Sequence, residues 1–430
     1  MRRKTVPIFL TLWAVFVQLA FAGFHNGGVG ECNGCHTVHR APSIQAGTAT
    51  QSGPYLLRGT DQGSTCLNCH SANQNLPSYQ YISTPESLMP PGIPPGQMTP
   101  GGDFGWLKKN YTWTSGQSVL TDYGYMHGHD IVAADYRYAA SPVHVTAPGG
   151  TYPAASLTCI SCHDPHGEYR RTVNGTIVSS GLQNACGSGS YESSPDPTTN
   201  CPVGDYRLLG GAGYSPVSIP GFPFTSDPPS AVAPSNYNRP ESVTQTRVAY
   251  GQGMSEWCAN CHPAFLNSQP NTSGAYRHPA GNGAKLGFLA NNYNAYVKTG
   301  DITGTRQTAY LSLVPFEEGT SDYNILKKHA RSDDSYLVGA DENSNVMCLT
   351  CHRAHASGWD YMLRFDSSFQ TFITADPAGQ TAWPGTDIVG DNSQAMGRSS
   401  RETARTYYDR PATKFTPYQR SLCNKCHVED

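Results

Sequence analysis

The longest run of apolar positions in the chain lies near its N terminus, at residues 6–20. Three basic residues precede it, and an Ala-Phe-Ala sequence follows at residues 20–22. This order is typical of a secretory signal peptide with its cleavage site. A membrane anchor needs about 20 unbroken apolar residues, and this run is shorter and contains a proline and a glutamine. We therefore predict a signal peptide at 1–22 and an exported mature chain at 23–430.

The rest of the chain has no apolar stretch long enough to span a bilayer, and its 44 glycines and 32 prolines interrupt the apolar positions. Because helix and strand interiors tolerate both residues badly, the pattern predicts mostly irregular chain with short α-helices and very little β-sheet. Charged residues make up 14% and the net charge is −3, which argues against a nucleic-acid binder or a polybasic membrane protein. Intrinsic disorder fits poorly with 10% aromatic residues.

Fourteen cysteines in an exported chain would normally indicate a disulfide framework. Their spacing indicates something else, because twelve of them form six Cys-x-x-Cys-His motifs. In chain order, the two cysteines and the histidine of each motif are Cys32, Cys35 and His36; Cys66, Cys69 and His70; Cys159, Cys162 and His163; Cys258, Cys261 and His262; Cys348, Cys351 and His352; and Cys423, Cys426 and His427.

Cys-x-x-Cys-His is the attachment motif of a c-type haem. The two thiols form thioethers with the haem vinyl groups, and the histidine becomes the proximal ligand of the iron. Zinc sites do not require a histidine after every cysteine pair. We predict six covalently bound haem c groups in one continuous, haem-cored multihaem cytochrome c unit, in which porphyrin faces replace much of an aliphatic core. Cys186 and Cys201 lie outside the motifs, and a disulfide between them is the simplest interpretation in an oxidising compartment.

The sixth iron ligand decides between electron transfer and catalysis at the iron. Nine histidines remain as candidates for six irons, and no motif has lost its own histidine. His39, His166 and His355 each follow a proximal histidine by three residues, so one helical turn directs them towards a neighbouring haem. His25 is undecided, and His127 and His144 fit solvent-facing residues better. The candidates that stand alone between motifs are His129, His278 and His329.

A resemblance to a known family extends over nearly the whole mature chain. Residues 24–28 (Phe-His-Asn-Gly-Gly) and the first motif with its flanks, residues 31–39, resemble the OmcS-type family of hexahaem outer-surface c-type cytochromes, which polymerise into extracellular filaments called nanowires. Further stretches that resemble this family are residues 98–113, 147–153, 162–171, 231–262, 277–286, 310–330, 348–358 and 417–427.

The resemblance implies a head-to-tail homopolymer with a continuous chain of bis-histidine haems and no catalytic residues. It implies that His39 ligates the fifth haem of the adjacent subunit. It also places His25, His129, His166, His278, His329 and His355 at matching positions, so six of seven histidines would be distal ligands, with His25 as the expected exception. The Cys186 and Cys201 pair is not part of the family pattern. Extracellular acceptors such as metal oxides and upstream electron-donating cytochromes would be the partners.

Two alternatives stay open at this point. A monomeric soluble or surface-attached electron shuttle would use the same ligands, with His39 serving a haem of its own chain. A multihaem reductase would need an open iron, and a high-spin ferric signal or ready uptake of CO would favour it.

Overall fold

The computed structural model describes residues 32–37, 56–73, 81–179, 185–234, 240–242, 244–266, 279–368, 373–388, 392–417 and 422–427. The predicted signal peptide lies outside these residues, as do His25, His39 and His278.

The helices of the described part are short. Where they begin, a side chain often caps the first turn: Asp61 accepts a hydrogen bond from the backbone N–H of Ser64, and Ser399 and Glu402 form a capping box. The α-helices are α1 (Gln62–His70), α2 (Met254–Cys258), α3 (Pro263–Leu266), α4 (Leu289–Ala295), α5 (Tyr323–His329), α6 (Cys348–Cys351), α7 (Asn392–Ala395) and α8 (Ser400–Thr406).

In the described part, short 3-10 helices outnumber the α-helices and break up the irregular segments. They lie at Cys32–Gly34, Glu86–Leu88, Phe104–Lys108, Gly124–Met126, Ala134–Tyr136, Ala154–Ser156, Cys159–Ser161, Tyr206–Leu208, Arg306–Thr308, Asp360–Met362, Ala412–Lys414 and Leu422–Lys425.

The sheets of the described part are small and antiparallel. β1 and β2 form a hairpin in which Tyr111 pairs with Asp122, and Gly116 takes a positive φ of 62° in its turn. The other sheets are β4-β3-β5, β6-β7 and β8-β9. The strands are β1 (Tyr111–Ser115), β2 (Ser118–Asp122), β3 (Arg170–Arg171), β4 (Ile177–Val178), β5 (Val203–Gly204), β6 (Ser230–Val232), β7 (Ala249–Gln252), β8 (Thr374–Ala375) and β9 (Thr381–Ala382). The predicted fold class, irregular chain with short helices and little sheet, is confirmed.

Several separate hydrophobic clusters take the place of one large core. The largest cluster in the described part joins residues between Leu286 and Leu422, and Cys351 and Cys426 pack against it. Cys258 packs against a second cluster and Cys159 against a third. The apolar side chains therefore hold the cysteine motifs in place.

Candidate functional site

Each motif contains one tight turn that places its cysteines and histidine together. The backbone N–H of the histidine donates to the carbonyl oxygen of the first cysteine, as in His36 to Cys32 at 2.8 Å and His163 to Cys159 at 3.0 Å. The same bond closes the fourth, fifth and sixth motifs. In the second motif the turn is part of α1. This geometry brings two thiols and one imidazole to one side of the chain, as attachment of a single haem requires.

The motifs adjoin one another in space in the order in which they occur along the chain. The thiol of Cys159 raises the pKa of Cys66, which places the second motif beside the third. The thiol of Cys348 likewise raises the pKa of Cys258, which places the fourth motif beside the fifth.

The other pairs of consecutive motifs are also neighbours, so the six motifs form a row. Burial raises the pKa of the Cys35 thiol, and the nearby Cys66 and Cys69 raise it further, so the first motif adjoins the second. Burial and the neighbouring Cys261 raise the pKa of Cys162 to about 12, which places the third motif beside the fourth. Cys351 of the fifth motif has a pKa of about 12, raised by burial and by the two cysteines of the sixth motif.

Three motif histidines are fixed by backbone carbonyls. Nδ1 of His163 donates to the carbonyl oxygen of Arg207 at 2.8 Å, and Nδ1 of His352 donates to that of Tyr361 at 2.7 Å. Nδ1 of His262 donates to the carbonyl oxygen of Pro148 at 2.8 Å. Because a carbonyl oxygen only accepts, the proton is on Nδ1 and the lone pair of Nε2 remains for a metal.

Two of these carbonyls belong to residues with an unusual backbone. Arg207 and Tyr361 have φ values of 56° and 58°, in the left-handed region that non-glycine residues rarely adopt. Such conformations persist where the surrounding structure holds them and are concentrated at functional sites. Here each one turns a carbonyl oxygen towards a proximal histidine.

His129 lies opposite the proximal histidine of the fourth motif. Its ring centroid is 6.1 Å from that of His262, and its Nδ1 donates to the carbonyl oxygen of Ala354 at 2.9 Å. His129 and His262 would be the two residues that hold one haem iron between them. Burial and the adjacent His262 lower the pKa of His129 to about 4. The neutral imidazole is the form that binds metal.

His355 lies near the histidine of the third motif. Burial lowers its pKa to about 3, and His163 is the charged group that contributes most to this shift. Phe104 stacks on its ring at 4.8 Å. Its Nδ1 donates to the carbonyl oxygen of Gly102 at 3.4 Å. His355 thus lies near the histidine of a different motif.

The other predicted distal ligands have less defined surroundings. Nδ1 of His329 bonds to a carboxylate oxygen of Glu318, an arrangement that orients metal-binding histidines. His166 is 71% exposed, with its Nδ1 3.8 Å from Asp164. His25, His39 and His278 lie outside the described residues.

His127 differs from the expectation of a solvent-facing residue. It is fully buried, with Nε2 2.8 Å from Oδ1 of Asp122 and Nδ1 3.1 Å from the carbonyl oxygen of Trp106. Arg398 bonds to the other oxygen of Asp122. The isolated position of His127 in the sequence gave no sign of this network, because its partners come from distant segments. His144 is exposed.

Cys186 and Cys201 are joined by a disulfide, with their Cα atoms 5.6 Å apart. The loop that it closes packs on α5: Lys327 donates to the carbonyl oxygen of Ser194 at 2.6 Å and to Asp196 at 2.9 Å. Tyr323 donates to the carbonyl oxygen of Gly189 at 2.7 Å. No helix in the part of the chain that the structure describes is both long and apolar enough to cross a membrane.

The donor set fits haem c: paired thiols, an adjacent imidazole with Nε2 available, and a second imidazole opposite. Together with the short helices and small sheets, it defines a multihaem c-type cytochrome. The chain is 56% identical over 418 residues to the C-type cytochrome OmcS of Geobacter sulfurreducens, covering 96% of this chain and 95% of that protein.

Solved structures lead to the same family. The structure titled cryo-EM of the OmcS nanowires from Geobacter sulfurreducens matches with a TM-score of 0.87 and 54% identity, covering 95% of this chain and 100% of that chain. An Outer Membrane Cytochrome S filament of the same organism matches with a TM-score of 0.86, at the same identity and coverage. No protein-family model matches the sequence. The chain belongs to the OmcS family of c-type cytochromes, as the resemblance predicted.

Proposed function

We propose that the mature chain, residues 23–430, is a single exported unit that carries six haem c groups, one on each motif. A haem with two histidine ligands passes single electrons and leaves no iron position for a substrate. The chain is therefore an electron-transfer protein rather than an enzyme with a substrate pocket.

The contacts of two histidines support specific distal assignments. His129 is the distal ligand opposite His262, and His355 is the distal ligand opposite His163. His166, His278 and His329 complete the ligands supplied within the chain. His39 serves the motif that contains His352 in an adjacent subunit, and His25 is not a ligand.

The function is extracellular electron transfer along a filament of head-to-tail subunits, ending at acceptors such as metal oxides and supplied by upstream electron-donating cytochromes. The observation that carries this proposal is the row of six motifs, in which the thiols of each motif lie close enough to influence those of the next. The relatives whose structures match were solved as nanowires and filaments.

The assembly follows from ligation across a subunit boundary. A ligand donated by one subunit to the next makes a heterologous contact, which gives an open filament unless its rotation closes a ring. Coordination of the iron by His39 would also add a directional bond to the contact between subunits, beyond the effect of the surface that the contact buries. The first motif of one subunit then lies beside the fifth motif of the adjacent subunit.

Electron microscopy of the purified mature protein in neutral buffer tests the proposal. Long, uniform filaments are expected. Discrete particles of single-chain size would contradict the polymer and favour the monomeric shuttle.

The trans ligand is tested by His39→Ala, with the exposed His144→Ala as the matched control. His39→Ala should give monomers or short oligomers with one under-ligated haem, whereas the control should assemble like the wild type. Long, fully low-spin filaments of His39→Ala would show that this histidine does not join the subunits.

A further inference from the structure

Three buried arginines lie close together beside the fifth motif, and two of them contact one glutamate. Nη1 of Arg353 lies 3.3 Å and Nη1 of Arg364 lies 3.8 Å from Oε2 of Glu241. Arg410 belongs to the same group, because it donates to Oγ of Ser312 at 2.6 Å while Arg364 donates to the carbonyl oxygen of that serine at 3.1 Å. We call these three arginines and Glu241 the arginine cluster.

The arginine cluster carries an excess of positive charge inside the protein. Arg353 and Arg364 are 1% and 0% exposed, and Glu241 is 2% exposed. Nε and Nη2 of Arg353, Nη2 of Arg364 and Nε of Arg410 have no hydrogen-bond partner among the described residues. Aromatic contact replaces part of the lost hydration, because the guanidinium of Arg353 lies 3.5 Å from the ring centroid of Tyr408. The arginine cluster therefore holds three guanidinium groups and only one carboxylate.

This charge is tied directly to the fifth motif. Arg353 is the residue after His352. Nε of Arg364 donates to the carbonyl oxygens of Leu349 at 2.7 Å and of His352 at 3.0 Å, both within the motif. Buried charges interact over several ångströms with little screening. An electron that arrives at the haem of this motif adds one negative charge there. This reduction step forms and breaks no bond.

The third motif has the opposite charge at the equivalent position. Asp164 follows His163, is 3% exposed, and accepts hydrogen bonds from the backbone N–H groups of His166 and Glu168. Among the residues that directly follow the six motif histidines, Arg353 is the one cation and Asp164 the one anion. The row of motifs is therefore not uniform in charge.

We infer that the arginine cluster raises the reduction potential of the haem bound to Cys348 and Cys351, above that of the haem at the third motif. Nearby positive charge stabilises the reduced haem, because the reduced haem carries one positive charge fewer than the oxidised haem. Arg353, Arg364 and Arg410 are then tuning residues that hold an electron at one position of the row, without touching the acceptor. The inference rests on the haem proposed for the fifth motif.

Spectroelectrochemical titration of the assembled protein tests the inference through variants of opposite sign. Arg353→Gln should lower the potential of one haem, with at least a tenfold change in its reduction equilibrium, or 59 mV for one electron. Glu241→Gln should raise the potential of the same haem. Arg353→Lys keeps the charge and should restore the wild-type value. Asp164→Asn should raise the potential of a different haem.

The direction in which each variant shifts the reduction potential separates electrostatic tuning from structural damage. Damage would move Arg353→Gln and Glu241→Gln in the same direction, and either that result or no shift would overturn the inference. If Arg353→Gln does not fold, Glu241→Gln and Asp164→Asn decide, because both keep the shape of the native side chain. Haem counting by mass spectrometry tests the proposed function separately: a chain without haem on the fifth motif would refute that function rather than the tuning.

Discussion

The backbone N–H of His129 donates a hydrogen bond to the carbonyl oxygen of His355 at 3.0 Å. The imidazole of His129 donates a hydrogen bond to the carbonyl oxygen of Ala354, the residue that precedes His355. The proposed distal ligands of the third and fourth irons are therefore held by one pair of segments. A shift of residues 354–355 would move both ligands, so the separation of these two haems depends on local backbone contacts.

Removing either ligand should affect one haem alone. His129→Ala should leave six thioether-bound haems but convert one of them to a high-spin form that takes up CO, because one iron loses its second imidazole. Electron paramagnetic resonance and optical spectra measure this change. His144→Ala is the control and should stay fully low-spin. A low-spin spectrum of His129→Ala would contradict the assignment opposite His262.

The disulfide between Cys186 and Cys201 should add stability without affecting the haems. The two cysteines are 15 residues apart, and a loop of this length predicts about 3 kcal/mol from restricting the unfolded chain. The double variant Cys186→Ser/Cys201→Ser should unfold at a lower guanidinium concentration, with an unchanged low-spin spectrum. Wild-type protein under a mild reductant provides the comparison. A high-spin component in the variant would show that the loop also positions His329, through its contacts with α5.

Glu317 should make stability depend on pH. Burial raises the pKa of Glu317 to about 8, from 4.5, so its folded form keeps a proton that the unfolded chain releases above pH 4.5. The stability that this proton contributes is complete below pH 4.5 and is lost as pH rises to about 8, a loss of about 5 kcal/mol at most. Glu317→Gln should flatten the melting temperature across this range. Its Oε1 can still accept from the backbone N–H of Met254, as Glu317 does at 2.8 Å.

The neighbouring Glu318 provides a control of opposite sign. Burial alone would raise the pKa of Glu318, but its bonds to His329 and Arg247 lower it. Its contribution is present above the ordinary pKa of a glutamate and is lost as pH falls through the lowered value. Glu318→Gln should therefore destabilise the protein at neutral pH. Equal effects of the two substitutions on the pH profile would contradict both assignments.

Asp122→Asn should destabilise the protein strongly. Burial opposes ionisation of Asp122, but its hydrogen bond to His127 and the charge of Arg398 hold its pKa well below the ordinary range. The stability that it contributes is present above about pH 4 and is lost as pH falls. Breaking a buried ion pair leaves the other charge uncompensated, at about 3 kcal/mol or more at neutral pH.

The exposed pair of Arg137 and Glu86 is a matched control for this effect. Its distance is 2.8 Å, but the two side chains are 78% and 41% exposed. Glu86→Gln should change the unfolding free energy by less than about 1 kcal/mol. Denaturant unfolding at pH 7 and at pH 4 measures both variants. A large effect at both sites would show that burial does not decide the strength of these pairs.

The sequence predicts the fold class and the motifs well, because both depend on local signals. Glycine and proline content limits long elements, and Cys-x-x-Cys-His encodes its own turn. The assignment of His355 to a neighbouring haem stays a prediction, and His352 has an extended backbone rather than the helical turn expected there. The sequence does not reveal that Cys66 contacts Cys159, nor that His127 is buried against Asp122. These contacts join distant segments, and no local pattern records them.

The contact between the thiols of Cys66 and Cys159 is also a hazard during assembly. In the oxidising compartment that the proposed export leads to, two neighbouring thiols readily form a disulfide, and Cys258 with Cys348 presents the same risk. The same chain needs Cys186 and Cys201 to be oxidised. With haem on all six motifs, as proposed, maturation would have to keep twelve thiols reduced until haem is attached while one other pair oxidises. The timing of haem attachment would then protect the chain from disulfides between its motifs.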